Sequence, residues 1–572
     1  MKNSKYLLFT LLLIYICHGC RPAFEHEITI DELKTTIRYM ASDSLKGRFP
    51  GTPEDSAVTA FICRQMEMSG MELHEGTGLQ RVTLERGFSV TVNNRIILRD
   101  NQSTVIDNRF LKVPGFSATD SITGEIIISA VVPAKESAGI YGNILMLPLP
   151  TDLPAAAHDA YLHLRSLSLK ALDIGVAGII FVSDFPFPSM ESHKRLPLSI
   201  PVALLPARVA AGILRFKADD QLFGMIDSFN EVTVATGISV TMETEVFTNE
   251  LTSYNTIATL PGSDPGLSGQ YMLIGAHHDH LGMGGRGSSS RWQDTVAVHY
   301  GADDNASGVA GVIELSQHLS GRNPGRSILF TTFAGEEAGL VGSKSFVENP
   351  AVDLDKVQAM INLDMLGRLN GERQLQIGGI GTSPVFREMI DSLNGSYEFE
   401  IAYAESGYGP SDHASFYAAD IPVLFISTGA HTDYHTPDDS PEKINYEGLQ
   451  EVLYFVSDIA STLANLPDKI TFTMAGPKES SGSRGREGMV TFGLMPDVMY
   501  DGDEGMPVSF VTEGRPAAVG GMKGGDIITA VDGKRIGNVH DYMERLSDLS
   551  VGQSVVVSII RDGKKIELLL KL

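Results

Sequence analysis

The sequence predicts an α/β protein built on a mainly parallel sheet covered on both faces by helices, with a small α/β insertion and a β-rich C-terminal unit. Three observations predict it. From about Tyr254, four apolar runs (YMLIGAHHD, SILFTTFAGEE, AMINLDMLG and IPVLFIST) alternate with helical patterns such as ASGVAGVIELSQHL. Strands apolar along their whole length and separated by helices belong to parallel sheets buried on both sides. Residues 85–245 instead alternate short β-like runs with turns, and residues 489–572 carry short strands around one helix. A chain of 572 residues is also too long for a single core, and its length suggests about three or four domains.

The N-terminus reads as a leader over residues 1–20. Lys2 and Lys5 precede an apolar run from Tyr6 to Cys17 that is too short to span a bilayer as a stable helix. A basic start followed by a short apolar stretch is a signal-peptide pattern. The run closes in Cys17-His18-Gly19-Cys20 and resembles a bacterial lipoprotein signal, which implies lipidation of Cys20. It departs from that signal at Cys17 and His18, where leucine and a small residue are usual. The expectation is an exported protein of the bacterial periplasm or cell envelope, held to the membrane through that lipid alone.

After the leader, ITIDELKTTIRYMASD predicts an amphipathic helix, LKGRFPGTPED a loop, and the stretch through Met68 a second helix. Cys63 lies within that second helix and reads as a packed thiol. One body cysteine cannot form an internal disulfide, so bridges do not indicate the compartment. The predicted catalytic unit comprises residues 29–84 and 246–466, with the insertion at 85–245. In the insertion, GNILMLPL and GVAGIIFVSD are glycine-bounded strands, Asp152 to Ile174 is helix-like, and IPVALLPARVAAGIL is strand then helix. The helix-glycine-strand passage from Lys170-Ala171 to Ile179-Ile180 resembles the protease-associated domain.

A linker occupies 467–488 and ends in the glycine- and serine-rich AGPKESSGSRGREG from Ala475 to Gly488. Beyond it, FGLMPD, GRPAAVGGMKGGDIITAVDGKRI and SVVVSIIRDGKKIELLLKL resemble a PDZ domain over 489–572. That resemblance implies a groove accepting a peptide or protein segment as an added strand. Phe492-Gly493-Leu494 would form its carboxylate loop, and the departure from G-L-G-F puts capture of a terminal carboxylate in doubt. A packing role for the unit is the alternative.

Composition narrows function by exclusion. Seventy acidic against 45 basic residues give a net charge of −25, which disfavours nucleic acid and anionic membrane surfaces as partners. A hydrophobic fraction of 43% and a charged fraction of 20% are those of an ordinary folded chain.

The chemistry lies at the strand ends, where an open α/β sheet binds its ligands. Gly275-Ala276-His277-His278-Asp279 ends the first run, and Asp279 is spaced to orient a ligating His277. His278 points away from His277 on an extended strand, and His280 has no assigned role. Gly301-Ala302-Asp303-Asp304-Asn305-Ala306-Ser307-Gly308 would by itself read as a turn and helix cap. Phe333-Ala334-Gly335-Glu336-Glu337 follows the second run. Two adjacent buried glutamates are costly unless paired or metal-bound, and they face apart, so one can bind metal while the other moves protons. Asp364 interrupts the apolar AMINLDMLG, and Asp433-Tyr434-His435-Thr436-Pro437 follows IPVLFIST.

Together these motifs resemble the co-catalytic zinc aminopeptidases over about 29–75 and 245–466, including ASDSLKGRFPGTPED. The resemblance implies the zinc exopeptidase fold, a mixed sheet sandwiched by helices, with two zinc ions. His277 and Asp364 would hold one ion, Glu337 and His435 the other, and Asp304 would bridge them. Glu336 would be the general base and Tyr434 an oxyanion donor. Ser411-Asp412-His413 matches a further family motif, with Asp412 supporting the site alongside Asp279. The chemistry agrees: zinc takes imidazole nitrogen and carboxylate oxygen, and paired ions suit a bridging carboxylate.

The function implied is an aminopeptidase acting on peptides. A carboxypeptidase or dipeptidase on the same core is the runner-up, and a glutamine cyclase is disfavoured by two complete metal sites. A peptide-binding protein with a dead catalytic domain is the rival from another class, and it is opposed by the intact ligand set.

Overall fold

The computed structural model describes residues 27–572 apart from 92, 99–103, 135–138, 150–156, 185–197, 216–233, 286–287, 479–490, 497–504, 513 and 550–551. The leader, Cys20 and residues 479–488 of the expected linker lie outside the described residues. The described chain forms two compact units, one from residues up to Leu84 and from Thr252 onward, the other from Glu85 to Leu251. Among the described residues, no helix is long and apolar enough to cross a membrane.

In the first unit the helices α1 (Ile30–Met40) and α2 (Pro53–Met68) start where their caps dictate. The Thr29 hydroxyl accepts from the Glu32 amide, and the Thr52 hydroxyl from the Asp55 amide ahead of a first-turn proline. Strands β1 (Val246–Leu260), β2 (Tyr271–His277), β3 (Ser327–Phe333), β4 (Val357–Leu363), β5 (Gln374–Gly378), β6 (Glu400–Ala404) and β7 (Val423–Ser427) form a sheet in the order β1-β3-β2-β4-β7-β5-β6. Glu72–Leu73 and Leu79–Val90 pair onto β1.

The central strands β3-β2-β4-β7 are parallel, and they are the four runs predicted from the sequence. The sheet is mixed because β1 pairs antiparallel with β3, and β5 antiparallel with β7. Helices α3 (Gly308–Ser320) and α4 (Tyr446–Asn465) pack with α1 and α2 on one face, around Leu33, Ile62, Val312, Leu453 and Phe455. On the other face Phe333, Phe346, Met360, Phe416 and Tyr417 form the second layer. Cys63 is buried and free, and burial raises its thiol to about 11, which leaves it an inert packing group.

The second unit has a seven-stranded sheet. Its strands Asp120–Ile128, Ile144–Pro148, Gly178–Val182 and Val202–Leu205 are parallel neighbours, and Ala157–Asp173 is a helix. Apolar clusters lie on both faces of this sheet, as its uninterrupted apolar strands require.

The C-terminal residues form antiparallel strands in the order Leu494–Pro496, Met506–Val511, Ile527–Val531, Ser554–Arg561, Lys564–Lys571, with a helix at Val539–Ser547. Among the described residues Leu494–Pro496 is an edge strand, the position at which an added strand would pair. Phe492, in the loop that leads into this strand, turns its ring into the core of the sheet.

One buried acid makes the fold pH-sensitive. Glu314 of α3 is 2% exposed, and burial, aided by Glu32, raises its carboxyl to about 8. The unfolded chain keeps the ordinary value of about 4.3. Between these limits the folded state holds a proton that the unfolded state releases, so stability falls as pH rises. Calorimetry of Glu314→Gln is therefore expected to show a gain of about 1–3 kcal/mol over the wild type at about pH 8 and parity near pH 4.

Candidate metal centre

The cleft at the carboxyl ends of the parallel strands is assembled from chain segments that each end or interrupt an apolar element. His277 is the last residue of β2, Glu336 and Glu337 follow β3, and Asp364 follows β4. Asp304 lies in the turn Ala302–Ser307 that leads into α3, and His435 in the loop after β7.

These side chains converge. His277 Nε2 is 3.3 Å from Asp304 Oδ1 and 3.6 Å from Asp364 Oδ1. His435 Nε2 is 3.2 Å from Asp304 Oδ2 and 3.1 Å from Glu337 Oε1. One carboxylate thus turns a separate oxygen to each imidazole. The Nδ1 atoms are committed elsewhere, at 3.2 Å from the Asp279 carbonyl oxygen for His277 and 3.1 Å from the Ser289 carbonyl oxygen for His435. A carbonyl can only accept, so both Nδ1 atoms are donors and both Nε2 lone pairs face the cleft. Asp304 Oδ2 and Glu337 Oε1 are buried with no hydrogen-bond partner. Carboxylate oxygens and imidazole lone pairs aimed at one another without donors are a fit for divalent cations, and His277, Asp304 and Asp364 form one such grouping.

Electrostatics show how strained this charge balance is for protein groups alone. Burial would lower His277, yet hydrogen bonds with Asp304 and Asp364 hold it well above its usual range. His435 is likewise raised, against burial, by Glu337 and Asp304. Burial would raise Glu337, but His435 above all draws it down to about 2. Its neighbour Glu336 behaves oppositely: burial first, then Glu337, Asp412 and Asp364, push its carboxyl well above the ordinary range, against the pull of His277. Adjacent glutamates thus have opposite proton affinities, set by their different neighbours.

The supporting residues are partly as expected. Asp279 is fully buried, but its carboxylate stands 3.9 Å from His277 Nδ1 and accepts the Glu336 amide at 3.1 Å; its backbone oxygen orients the imidazole. The ring has turned to the nearer carbonyl, freeing the carboxylate to fix the base's backbone. His278 points the other way, with Nδ1 3.0 Å from the Thr332 hydroxyl and Nε2 3.3 Å from Asp55 Oδ1. Ser411 donates to Asp364 Oδ2 at 2.6 Å, and the adjacent Asp412 is raised by burial to about 7. The Tyr434 ring stacks on His435 at a centroid distance of 3.8 Å. Its hydroxyl is held well above its usual range by burial, then by Asp304 and Glu337.

Four further residues carry the site, and the sequence reading assigned none of them a role. Arg48 is fully buried, and its five N–H groups reach the carbonyls of His278, Met40, Tyr300, Gly301 and Asp304 at 2.6–3.3 Å. Gly47 beside it has φ +71, and a Cβ there would meet the Gly282 carbonyl at 2.3 Å, so the loop can press this close only with glycine. Asp439 accepts the amides of Asp303 and Asp304, each at 3.0 Å, which fixes the backbone that carries the Asp304 carboxylate. Asp55 accepts from Ser253 at 2.6 Å and ties α2 to the sheet. His280 is fully buried beside Glu337. Only the position of Arg48 within GRFPGTPED and the second aspartate of TPDD could have pointed to such roles.

Residues 255–460 match the model of peptidase family M28, and residues 482–572 that of the PDZ domain. Residues 255–460 form an M28 peptidase domain. A probable leucine aminopeptidase of Arthroderma otae is 30% identical over 233 residues, covering 38% of this chain and 59% of the relative. Leupeptin-inactivating enzyme 1 of Streptomyces exfoliatus is 31% identical over 252 residues, covering 43% of this chain and 50% of the relative. The match therefore spans about half to three-fifths of these curated relatives. A solved aminopeptidase from Aneurinibacillus sp. strain AM-1 aligns with 79% of this chain and 96% of its own at 19% identity and a TM-score of 0.44. Within the M28 domain all five expected ligand positions surround one cleft.

Arg48 holds that cleft together by satisfying five backbone oxygens. Arg48→Met leaves them buried and unpaired, and urea unfolding is expected to show a loss of at least about 3 kcal/mol. Arg48→Lys recovers only part of it, having three donors and no planar fork.

Proposed function

We propose that the chain is a zinc-dependent exopeptidase that removes N-terminal residues from peptides, using two metal ions. The observation that carries the two-metal reading is Asp304, whose two carboxylate oxygens face separate imidazoles, His277 and His435. His277 and Asp364 would hold one ion, Glu337 and His435 the other, with Asp304 shared. The relatives named as leucine aminopeptidases support the N-terminal direction.

Zinc bound by these residues would supply Lewis acidity toward water and toward the scissile carbonyl. The remaining work falls to the chain. Glu336, with its proton affinity raised by burial and by neighbouring carboxylates, takes a proton from the attacking water and returns it to the leaving amine. Tyr434 keeps its phenolic proton because burial first, and then the surrounding carboxylates, oppose ionisation, so it can donate a hydrogen bond to the oxyanion. Asp279 holds the Glu336 amide, and Ser411 holds Asp364, so that proton carrier and ligand keep their separate orientations. The exposed edge of Leu494–Pro496 supports a role for the PDZ domain in holding an extended peptide segment.

Mass spectrometry of a peptide mixture with free and acetylated N-termini tests this reading, with Glu336→Gln run in parallel. The wild type is expected to remove single residues from free N-termini only. The variant should retain its metal and lose about 10²–10⁴-fold in rate. Trimming of acetylated peptides from the other end would make it a carboxypeptidase, and metal loss in the variant would reverse the roles of the two glutamates.

A further inference from the structure

His280 belongs to no motif used above, yet it is completely buried at the centre of the cleft. Its Nδ1 lies 3.0 Å from Glu337 Oε1 and 3.7 Å from Asp304 Oδ2, the two oxygens that His435 Nε2 also approaches. With Glu337 and Asp304 it forms a grouping of ligand atoms close enough to share one ion. Neither of its ring nitrogens has a hydrogen-bond partner, so the 3.0 Å approach to Glu337 lacks hydrogen-bond geometry. A neutral imidazole with an unspent, buried lone pair costs about 1–3 kcal/mol unless something accepts it.

The fold keeps the ring in this place. Gly301, at φ +54, lies flat against it: a Cβ there would come within 2.6 Å of the His280 ring. The His435 ring lies on the other side, with centroids 5.8 Å apart and planes at 72°. Two imidazoles thus approach the same pair of carboxylate oxygens from different directions. That arrangement suits coordination about a point better than pairing along a line.

We propose that His280 is an additional metal ligand, making the two sites unequal: a closed one of Asp304, Glu337, His435 and His280, and an open one of His277, Asp304 and Asp364. The inference rests on the two-metal reading above. Four protein ligands complete a tetrahedral zinc shell, as in structural sites, whereas three leave a position for water, as in catalytic ones. The ion beside Glu337 then has a mainly structural role, and chemistry centres on the three-ligand site of His277, Asp304 and Asp364.

Cobalt(II) loading of the full chain tests this without reference to turnover, because cobalt accepts the same nitrogen and oxygen ligands. In proton NMR of the cobalt-loaded wild type, each ligating imidazole contributes one strongly shifted N–H resonance. Three are expected if His280 ligates with His277 and His435, and a count of two overturns the proposal. In chelator competition, His280→Gln, which keeps side-chain volume but offers no ring nitrogen, is expected to weaken one of the two metals by about 10-fold or more. Retention of both metals with a smaller change also overturns it. Wild-type protein that takes up fewer than two cobalt equivalents would instead refute the two-metal reading itself. The wild-type count needs no variant, so a folding defect in His280→Gln leaves the proposal testable.

Discussion

Six carboxylates crowd into one cleft with too few protein cations to balance them, and much of the M28 domain is arranged around that constraint. Asp279, Asp304, Glu336, Glu337, Asp364 and Asp412 come from three strand ends and two connecting segments. Two like charges about 4 Å apart repel by about 4 kcal/mol even at an effective dielectric near 20. Arg48 is the buried cation beside them, but its hydrogen bonds go to backbone oxygens, so it holds the framework and leaves the carboxylates unneutralised. The imbalance appears as the divergent proton affinities of Glu336 and Glu337. It is also the reason His277 and His435 are driven toward the charged form when no other cation is counted.

Two divalent cations, as proposed above, would resolve the imbalance and at the same time create reactivity. A carboxylate shared between two ions would need its backbone fixed on both sides, and at Asp304 the amide is held by Asp439 and the carbonyl by Arg48. The parallel sheet contributes rigidity: β2, β3 and β4 are buried along their lengths and deliver His277, Glu336–Glu337 and Asp364 in adjacent register. The site is therefore set largely by hydrogen-bonded strands, with Asp304, Asp412, His435 and Tyr434 supplied by the segments between elements.

What could be read in the sequence follows from which signals are local. The four central strands were legible because burial on both faces demands continuous apolar runs, and His277, Glu336, Glu337 and Asp364 because they end, follow or interrupt such a run, whereas Asp304 and His435 were read only from the motif set as a whole. The antiparallel outer strands were not, since Gln374–Gly378 and Glu400–Ala404 are mixed in polarity and get their pairing from neighbours distant in the chain. Arg48, Asp55 and Asp439 were also hidden. Their partners lie far along the chain, most over 100 residues away, and nothing near them in sequence reveals a buried contact. The orientation of Asp279 was read in the wrong atom: the spacing was informative, but the backbone oxygen bonds His277 while the carboxylate serves Glu336.

Zinc titration into the chelator-stripped full chain, followed by calorimetry, tests directly whether this buried negative charge exists to hold two cations. The account predicts two equivalents of tightly bound zinc and a rise in the melting temperature with each, because a ligand that binds only the folded state stabilises it. Uptake of one equivalent or none, or a melting temperature indifferent to zinc, would contradict it.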